Sequence, residues 1–291
     1  MRLSPAIALS LVLFLPLAWA LAAEDTGLQP VLIDLDDSRI GGLSGLVVSA
    51  AGRQFTAVSD AGYLVEGELK RDSSGRLTGA AVTGSRRLDV PPDAENRVDA
   101  EGLSPLPDGG LAVSMEGGSG IWVLRGAEMS PLPAPPDMGL LAASSMYEAL
   151  ATDAQGRLLT LPESPVDGGP AHPLWRLDEK GWRRLGVIER SGGYLPVGAD
   201  VGPDGWLYLL ERSIRLGFRH RIRRLDPDQP TTRPETLWST VSHRRSNFEG
   251  LSVWSDPEGH LRATLVSDNN FTAAFRQELL EIPLDLKGPS R

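Results

Sequence analysis

The chain contains no cysteine, and this absence excludes several kinds of site. Without thiols there is no disulfide framework, no thiolate metal centre and no attachment point for a lipoprotein lipid. Histidine is scarce, with 4 in 291 residues, and the sequence has no HExxH, GxSxG, P-loop or dinucleotide-binding motif. The common signatures of zinc proteases, α/β-hydrolases and nucleotide-binding enzymes are therefore missing.

A surplus of positive charge is also missing, because the formal net charge is −9 at pH 7. A chain of this sign is a poor match for nucleic acid or for an anionic membrane surface, and it suits the binding of cations. Hydrophobic residues make up 41% of the sequence, which is ample for a core. These properties predict a globular protein that is suited to binding cations.

The first 22 residues resemble a secretory signal peptide. Arg2 provides the positive charge, Ala6–Leu17 is apolar, and two small-residue cleavage sites follow within Ala18–Ala22. A membrane anchor is the alternative reading, but the acidic pair Glu24-Asp25 directly after this segment favours cleavage. We therefore expect a periplasmic or secreted protein without a membrane anchor after cleavage, with residues 23–291 forming a single domain.

A repeat runs through the remaining chain. Each copy is an apolar strand, a turn that ends in glycine, a second apolar strand and then an acidic residue. The turn glycines recur about every 50 residues; they are Gly52, Gly109, Gly156, Gly205 and Gly259. A repeat of this length that consists of strands predicts an all-β fold, and specifically a β-propeller.

The strands can be assigned to propeller blades, which have four strands each. The last copy offers only three, Leu251–Trp254, Leu261–Ser267 and Glu278–Leu284, whereas Val31–Leu35 is a lone strand before the first copy. The N-terminal strand therefore completes the last blade in this interpretation. We predict five four-stranded blades; six are possible if the long first interval contains another sheet.

Two proline-rich segments, Pro131–Pro136 and Pro162–Pro173, are predicted to be loops. Proline has no N–H to donate to a central strand ladder, so such segments are expected outside the sheets.

The acidic residues of the repeat should converge. In a propeller the glycine turns lie on one face, so residues before the first strand and after the second strand of each copy lie on the other face, beside the channel. This argument places eight carboxylates at one mouth: Asp60, Glu101, Glu116, Glu148, Glu163, Glu211, Glu249 and Asp268.

Such a cluster needs compensation, because two like charges about 4 Å apart repel by roughly 4 kcal/mol at an effective dielectric constant of about 20. Carboxylate oxygens favour Ca²⁺ or Mg²⁺, so we predict a divalent cation, with Ca²⁺ preferred, bound by these eight residues. The alternative is that each glutamate accepts backbone N–H groups and only ties the ring together. Ser44 and Val197 stand where other copies have glutamate, which makes the mouth asymmetric, as a binding site would be.

An ordered set of short motifs resembles the phytase-like family, also described as having esterase-like activity of phytase. The motifs are Gly42-Leu43-Ser44-Gly45, Ser59-Asp60, Asp99-Ala100-Glu101-Gly102-Leu103, Tyr147-Glu148-Ala149-Leu150, Leu210-Glu211-Arg212, Asn247-Phe248-Glu249-Gly250-Leu251 and Ser267-Asp268-Asn269-Asn270-Phe271. The resemblance spans nearly the whole chain after residue 22. It implies a β-propeller with a cation-dependent site that acts on phosphate esters or related esters.

For a phosphoester substrate, arginine side chains would hold phosphate oxygens. The substrate-binding candidates are Arg212, Arg219, Arg221 and Asn269, and the catalytic candidates are Glu101 and Glu249. Two other functions stay open at this point: a calcium-dependent lactonase or carboxylesterase propeller, and a non-catalytic propeller that binds a ligand or a protein around a structural metal.

Overall fold

The computed structural model describes residues 28–284 except 36, 38, 91–97, 117–119, 142–146, 216, 232 and 241–245. The proposed signal peptide, Met1–Ala22, lies outside the described residues. Among the residues that the structure does describe, none forms a helix with the length and apolar character needed to span a bilayer.

The described chain is built from strands, nearly all paired antiparallel, and two short 3-10 turns at Met138–Leu140 and Val166–Gly168. Three sheets have four strands in chain order. They contain β6 (Ala100–Pro105), β7 (Leu111–Met115), β8 (Gly120–Arg125) and β9 (Glu128–Pro131); β10 (Ala149–Thr152), β11 (Leu158–Leu161), β12 (Ala171–Asp178) and β13 (Gly181–Glu189); and β14 (Leu195–Val201), β15 (Leu207–Ile214), β16 (Phe218–Leu225) and β17 (Glu235–Ser239).

The fourth sheet has eight strands and unites the two ends of the chain. Its order is β18-β19-β20-β1-β5-β4-β3-β2. The N-terminal strand β1 pairs antiparallel with β20 and parallel with β5. The strands of this sheet are β1 (Val31–Asp34), β2 (Leu43–Val48), β3 (Gln54–Ser59), β4 (Tyr63–Arg71), β5 (Leu77–Arg87), β18 (Asn247–Ser255), β19 (Leu261–Asp268) and β20 (Glu278–Pro283).

The first strand of each repeat contributes to a closed ring. β2 contacts β6, β6 contacts β10, β10 contacts β14, β14 contacts β18, and β18 returns to β2. Buried apolar residues fill the wedges between neighbouring sheets; Leu159 and Leu161, for example, pack with Leu207 and Leu209. Burying each such side chain contributes about 1.5–3 kcal/mol. The all-β, propeller-type architecture expected from the repeat is therefore confirmed.

The turn glycines have the conformation that the repeat requires. All five have positive φ, from 64° at Gly52 to 87° at Gly259, a region that glycine enters without steric cost. These turns connect the first and second strands of each repeat, so the starts of the first strands and the ends of the second strands lie together at the opposite face.

Proline 173 lies inside a strand, so the prediction of a loop over Pro162–Pro173 was wrong at its C-terminal end. Strand β12 begins at Ala171, but its pairing with β11 covers only Trp175, Arg176 and Leu177. Pro173 therefore extends beyond the end of the neighbouring strand, where its missing N–H leaves no ladder bond unmade.

An ion pair links the first and last repeats. Arg71 donates to both carboxylate oxygens of Glu281, at 2.9 and 2.7 Å, and its guanidinium lies 4.7 Å from the centroid of the Trp254 ring. Its Nε also donates to the Gly52 carbonyl at 2.7 Å. Because this bidentate pair joins β4 to β20, it holds the two ends of the chain together.

Candidate functional site

The innermost strands place one side chain per repeat at the same level of the ring. These equivalent residues are Ser44, Glu101, Glu148, Val197 and Glu249. In the second, fourth and fifth repeats the residue sits in a β-bulge, between Ala100 and Gly102, between Pro196 and Gly198, and between Phe248 and Gly250. A bulge leaves its extra residue unpaired and re-aims its side chain. The bulges thus direct Glu101 and Glu249 into the channel.

A glycine after the channel residue allows the ring to close tightly. A Cβ on Gly250 would overlap the Ser44 carbonyl oxygen, and a Cβ on Gly102 would lie 2.6 Å from the Glu148 carbonyl oxygen. The inner strands therefore touch backbone to backbone. Only about 10 Å³ of free space remains within the ring below Glu101, Glu148 and Glu249, so these three carboxylates form the floor of the site.

Above this floor lies a cavity of about 700 Å³. Seven of the eight carboxylates predicted from the sequence line it, and Asp99 adds another. The acidic lining residues are Asp60, Asp99, Glu101, Glu116, Glu148, Glu163, Glu249 and Asp268. The structure therefore brings the acidic ends of the repeats to one mouth.

Glu211 is the one member of the predicted set that does not line this cavity. Both oxygens of its buried carboxylate are engaged by arginines of the next strand: Arg223 donates at 2.5 and 2.6 Å, and Arg221 donates at 2.5 Å. Neighbouring residues of a strand point to opposite faces. In β15 it is Arg212, and not Glu211, whose side chain faces the channel mouth.

Arg212 thus brings a positive charge to the position where the other four repeats have Asp60, Glu116, Glu163 and Asp268. Its Nη1 donates to Glu249 and, at 3.0 Å, to the Asn247 side-chain oxygen, and its Nη2 donates to Glu163 at 3.0 Å. Burial alone would lower the pKa of Arg212, but Glu249, Glu148 and Glu163 raise it above its ordinary value. The arginine is a permanent cation inside the acidic mouth.

The other predicted substrate-binding residues lie elsewhere. Arg221 pairs with Glu211 and covers the Tyr194 ring at 4.2 Å, and neither Arg219 nor Asn269 is among the residues that line the cavity. The Asn269 side-chain oxygen accepts the Gly42 N–H at 2.9 Å and the Phe271 N–H at 3.1 Å. Asn269 therefore fixes the loop after β19 against the start of the first repeat.

The pKa values of the carboxylates at the mouth are strongly raised. Burial, followed by Asp268, Glu249 and Asp99, raises the pKa of Asp60 to about 9. Burial and Glu249 raise the pKa of Asp268 to about 7. In both cases the low-dielectric surroundings and the like charges disfavour the ionised form.

Burial and neighbouring like charges also raise the pKa values of carboxylates at the floor of the site. Burial, with Glu148 as the largest charge contribution, raises the pKa of Glu101 well above its ordinary value, and burial with Glu163 does the same for Glu148. Without a compensating cation, protons must neutralise part of this cluster.

One part of the mouth has the donor set of a hard-cation site. Carboxylate oxygens of Asp60, Asp99 and Glu101 all lie within 4.8 Å of one another. All three carboxylates have raised pKa values, and the trio contains no sulfur or nitrogen donor. Such a set of oxygen donors fits Ca²⁺ or Mg²⁺. The Ser44 hydroxyl oxygen lies 3.0 Å from Asp60 and 3.3 Å from Glu249 and can donate its single hydrogen to either carboxylate, which connects this trio to the Arg212 side of the mouth.

Asp99 was missing from the predicted site, although a signal for it exists in the sequence. In Asp99-Ala100-Glu101 the two acids are separated by one residue, a spacing that puts side chains on the same side of an extended chain. The repeat pattern alone did not reveal it, because no other copy has an acid at this offset.

Comparisons with known proteins find similar solved structures at low sequence identity. A search of curated proteins finds no match. Among solved structures, a candidate gluconolactonase is 16% identical, with a TM-score of 0.48 over 86% of this chain and 76% of the other. A protein of unknown function from Dyadobacter fermentans is 14% identical (TM-score 0.48, 88% and 86% of the chains), and the calcium-binding protein regucalcin from Agrobacterium tumefaciens is 11% identical (0.46, 90% and 93%).

The family assignment comes from a sequence model. The model described as "Phytase-like: Esterase-like activity of phytase" matches residues 38–271, which is well over half of the chain and includes every acidic residue that lines the cavity. The chain therefore belongs to the phytase-like family.

Proposed function

We propose that this protein is an exported hydrolase of phosphate esters that depends on a divalent cation, with Ca²⁺ preferred, held at the acidic mouth. The observation that carries the proposal is the Asp60–Asp99–Glu101 trio, which opens onto a cavity of about 700 Å³ beside a buried arginine. Membership of the phytase-like family supports the choice of phosphate esters.

The proposal includes a five-bladed propeller. Three blades correspond to the four-stranded sheets, and the eight-stranded sheet divides into β2–β5 and into β18–β20 completed by β1. The five inner strands that contact one another in a ring support this division. The parallel pairing of β1 with β5 then joins two adjacent blades.

Asp60, Asp99 and Glu101 would hold the cation. When bound, the cation would neutralise phosphate oxygens and make a water molecule more acidic. Asp60 keeps its proton at neutral pH without a cation, so its raised pKa implies that binding releases protons.

Glu249 is the residue that we assign as the proton acceptor for the attacking water. Its Oε1 accepts from Asn247 at 2.9 Å and from Arg212, whereas its Oε2 accepts the Ser44 hydroxyl at 3.3 Å. Arg212 and Asn247 thus hold the carboxylate in one orientation through its first oxygen. The second oxygen is the one that we assign to take the proton from water. In this assignment Glu101 acts by holding the cation.

The test is phosphate release by purified protein stripped with EDTA, with and without added Ca²⁺ or Mg²⁺, on a panel of phosphate monoesters, lactones and acyl esters, alongside metal analysis of the untreated protein. We expect phosphate release that EDTA abolishes and Ca²⁺ restores. Turnover of lactones or acyl esters alone would assign the protein to the lactonase or carboxylesterase alternative. Inertness on every substrate, with Ca²⁺ still raising the melting temperature, would assign it to the non-catalytic alternative.

A further inference from the structure

One wall of the acidic cavity is apolar. It is formed by Ile214 at the end of β15, Phe218 at the start of β16, and Phe271 and Phe275 in the connection between β19 and β20. Ile214 is 69% exposed and Phe271 is 50% exposed. These residues come from two neighbouring repeats and line the same cavity as the carboxylates.

The wall is held in place by packing and hydrogen bonds. Phe218 and Phe275 meet edge to face with centroids 5.4 Å apart, and Phe218 stacks at 6.4 Å on His220, a buried residue whose Nε2 accepts the Phe248 N–H. Phe271 has a φ of 49°, a strained value for a bulky residue, and its N–H donates to the Asn269 side chain. An exposed aromatic ring in such a conformation is consistent with a functional constraint.

The apolar wall directly adjoins the proposed cation site. Gly42 lies between the Phe271 ring and the Asp60 carboxylate, and a Cβ on Gly42 would collide with both. A phosphate group bound beside Asp60 would therefore place its ester substituent against Phe271. The other large apolar residues that are exposed in the described chain do not line this cavity; they are Leu32, Leu140 and Trp206. Exposed apolar side chains therefore lie next to the acidic cluster only at the mouth, among the described residues.

The charge of the residues that line the cavity also favours a substrate with a single phosphate group. Among the described residues that line the cavity, Arg212 is the only basic one, and its guanidinium is already shared by Glu163 and Glu249. A polyphosphorylated polyol would bring many negative charges to a mouth with eight carboxylates. A single phosphate group, offset by one cation, avoids this repulsion.

Building on the proposed function, we infer that the substrate is a phosphate monoester of an apolar alkyl or aryl alcohol, with the alcohol portion packed on Ile214 and Phe271. Hydrolysis adds water across the P–O bond and gives inorganic phosphate and the free alcohol, so no further reactant is required. Each methylene that the wall removes from water should raise kcat/KM about fourfold, until the wall is covered.

The test measures kcat/KM with saturating Ca²⁺ for methyl, butyl and hexyl phosphate and for inositol hexakisphosphate. We expect a steep increase from methyl to hexyl phosphate and the lowest value for the hexakisphosphate. The double variant Ile214→Asn/Phe271→Asn should lower the ratio of kcat/KM for hexyl phosphate to kcat/KM for methyl phosphate at least tenfold. Asparagine tolerates the positive φ at position 271, and both side chains are exposed, so the fold should be maintained.

Leu140→Asn is the matched control, because Leu140 is 60% exposed and does not line the cavity; it should follow the wild-type series. A flat series in the wild-type protein, or equal losses on methyl and hexyl phosphate in the double variant, would overturn the inference while the proposed function stands. Absence of phosphate release from every ester would overturn both.

Discussion

Arg212 donates to Glu249 at the centre of an acidic mouth, where four other repeats have a carboxylate at the position of the arginine. The same guanidinium reaches Glu163, so one side chain offsets two of the negative charges. The mouth is therefore divided into a part that the protein neutralises itself and a part, around Asp60, Asp99 and Glu101, where we propose that an external cation binds.

Replacing Arg212 should destabilise the protein strongly. Arg212→Met leaves Glu163 and Glu249 buried without their partner, and breaking a buried pair in this way costs about 3–5 kcal/mol of the free energy of unfolding. Urea denaturation monitored by tryptophan fluorescence measures this loss. Arg125→Ala, which removes an exposed ion pair with Asp108, is the control and should leave the midpoint nearly unchanged. Equal effects of the two substitutions would refute the role of Arg212 as an internal cation.

The effect of Ca²⁺ on thermal stability should grow with pH. The pKa values of Asp60 and Asp268 are raised in the folded state, to about 9 and about 7, from an ordinary 3.8. Their contribution to stability is therefore complete below pH 3.8 and is lost as the pH rises through 7 and 9. Since Ca²⁺ compensates the ionised carboxylates, scanning calorimetry should show a larger Ca²⁺-induced increase in Tm at pH 8.5 than at pH 5. A larger increase at pH 5 would contradict the cited pKa shifts.

Closure of the ring should depend on the absence of a side chain at position 250. Gly250→Ala would push a methyl group into the Ser44 carbonyl, so the inner strands of the first and last repeats must separate. We expect a loss of about 1–3 kcal/mol in unfolding free energy, the usual range for overpacking, and weaker Ca²⁺ binding. Gly139→Ala is the control, because a methyl group there meets nothing within 4 Å. Wild-type stability of Gly250→Ala would refute the backbone contact.

The sequence was sufficient to predict an all-β, propeller-type architecture, because the glycine turns and the strand periodicity are local features of the chain. Positive-φ glycines such as Gly109 mark the turns, and the repeat places the acids on the opposite face. Whether Glu211 or Arg212 faces the channel mouth was not predictable in this way. The answer depends on where in β15 the alternation of side chains between the two faces of the sheet begins. Arg223, in the next strand β16, engages the Glu211 carboxylate only after the two strands have paired.

The apolar wall could not be predicted for a similar reason. Phe218 and Phe275 are separated by more than fifty positions, and neither belongs to the repeat. Their contact arises where the start of β16 packs against the connection between β19 and β20, and strand periodicity does not report such packing. Asn269 likewise has a side-chain amide that could bind a ligand. In the folded protein, however, its side-chain oxygen accepts hydrogen bonds from two backbone N–H groups.

The most direct test of the account is the affinity for Ca²⁺ of wild-type protein and of Asp60→Asn/Glu101→Gln, measured by isothermal titration calorimetry at pH 8. The double variant keeps the shape of both side chains but removes two of the three carboxylates within 4.8 Å of one another. Asp108→Asn, which removes an exposed acid that does not line the cavity, is the control. We predict that the double variant loses at least tenfold in affinity and that the control loses none; unchanged Ca²⁺ affinity in the double variant would contradict the proposed cation site.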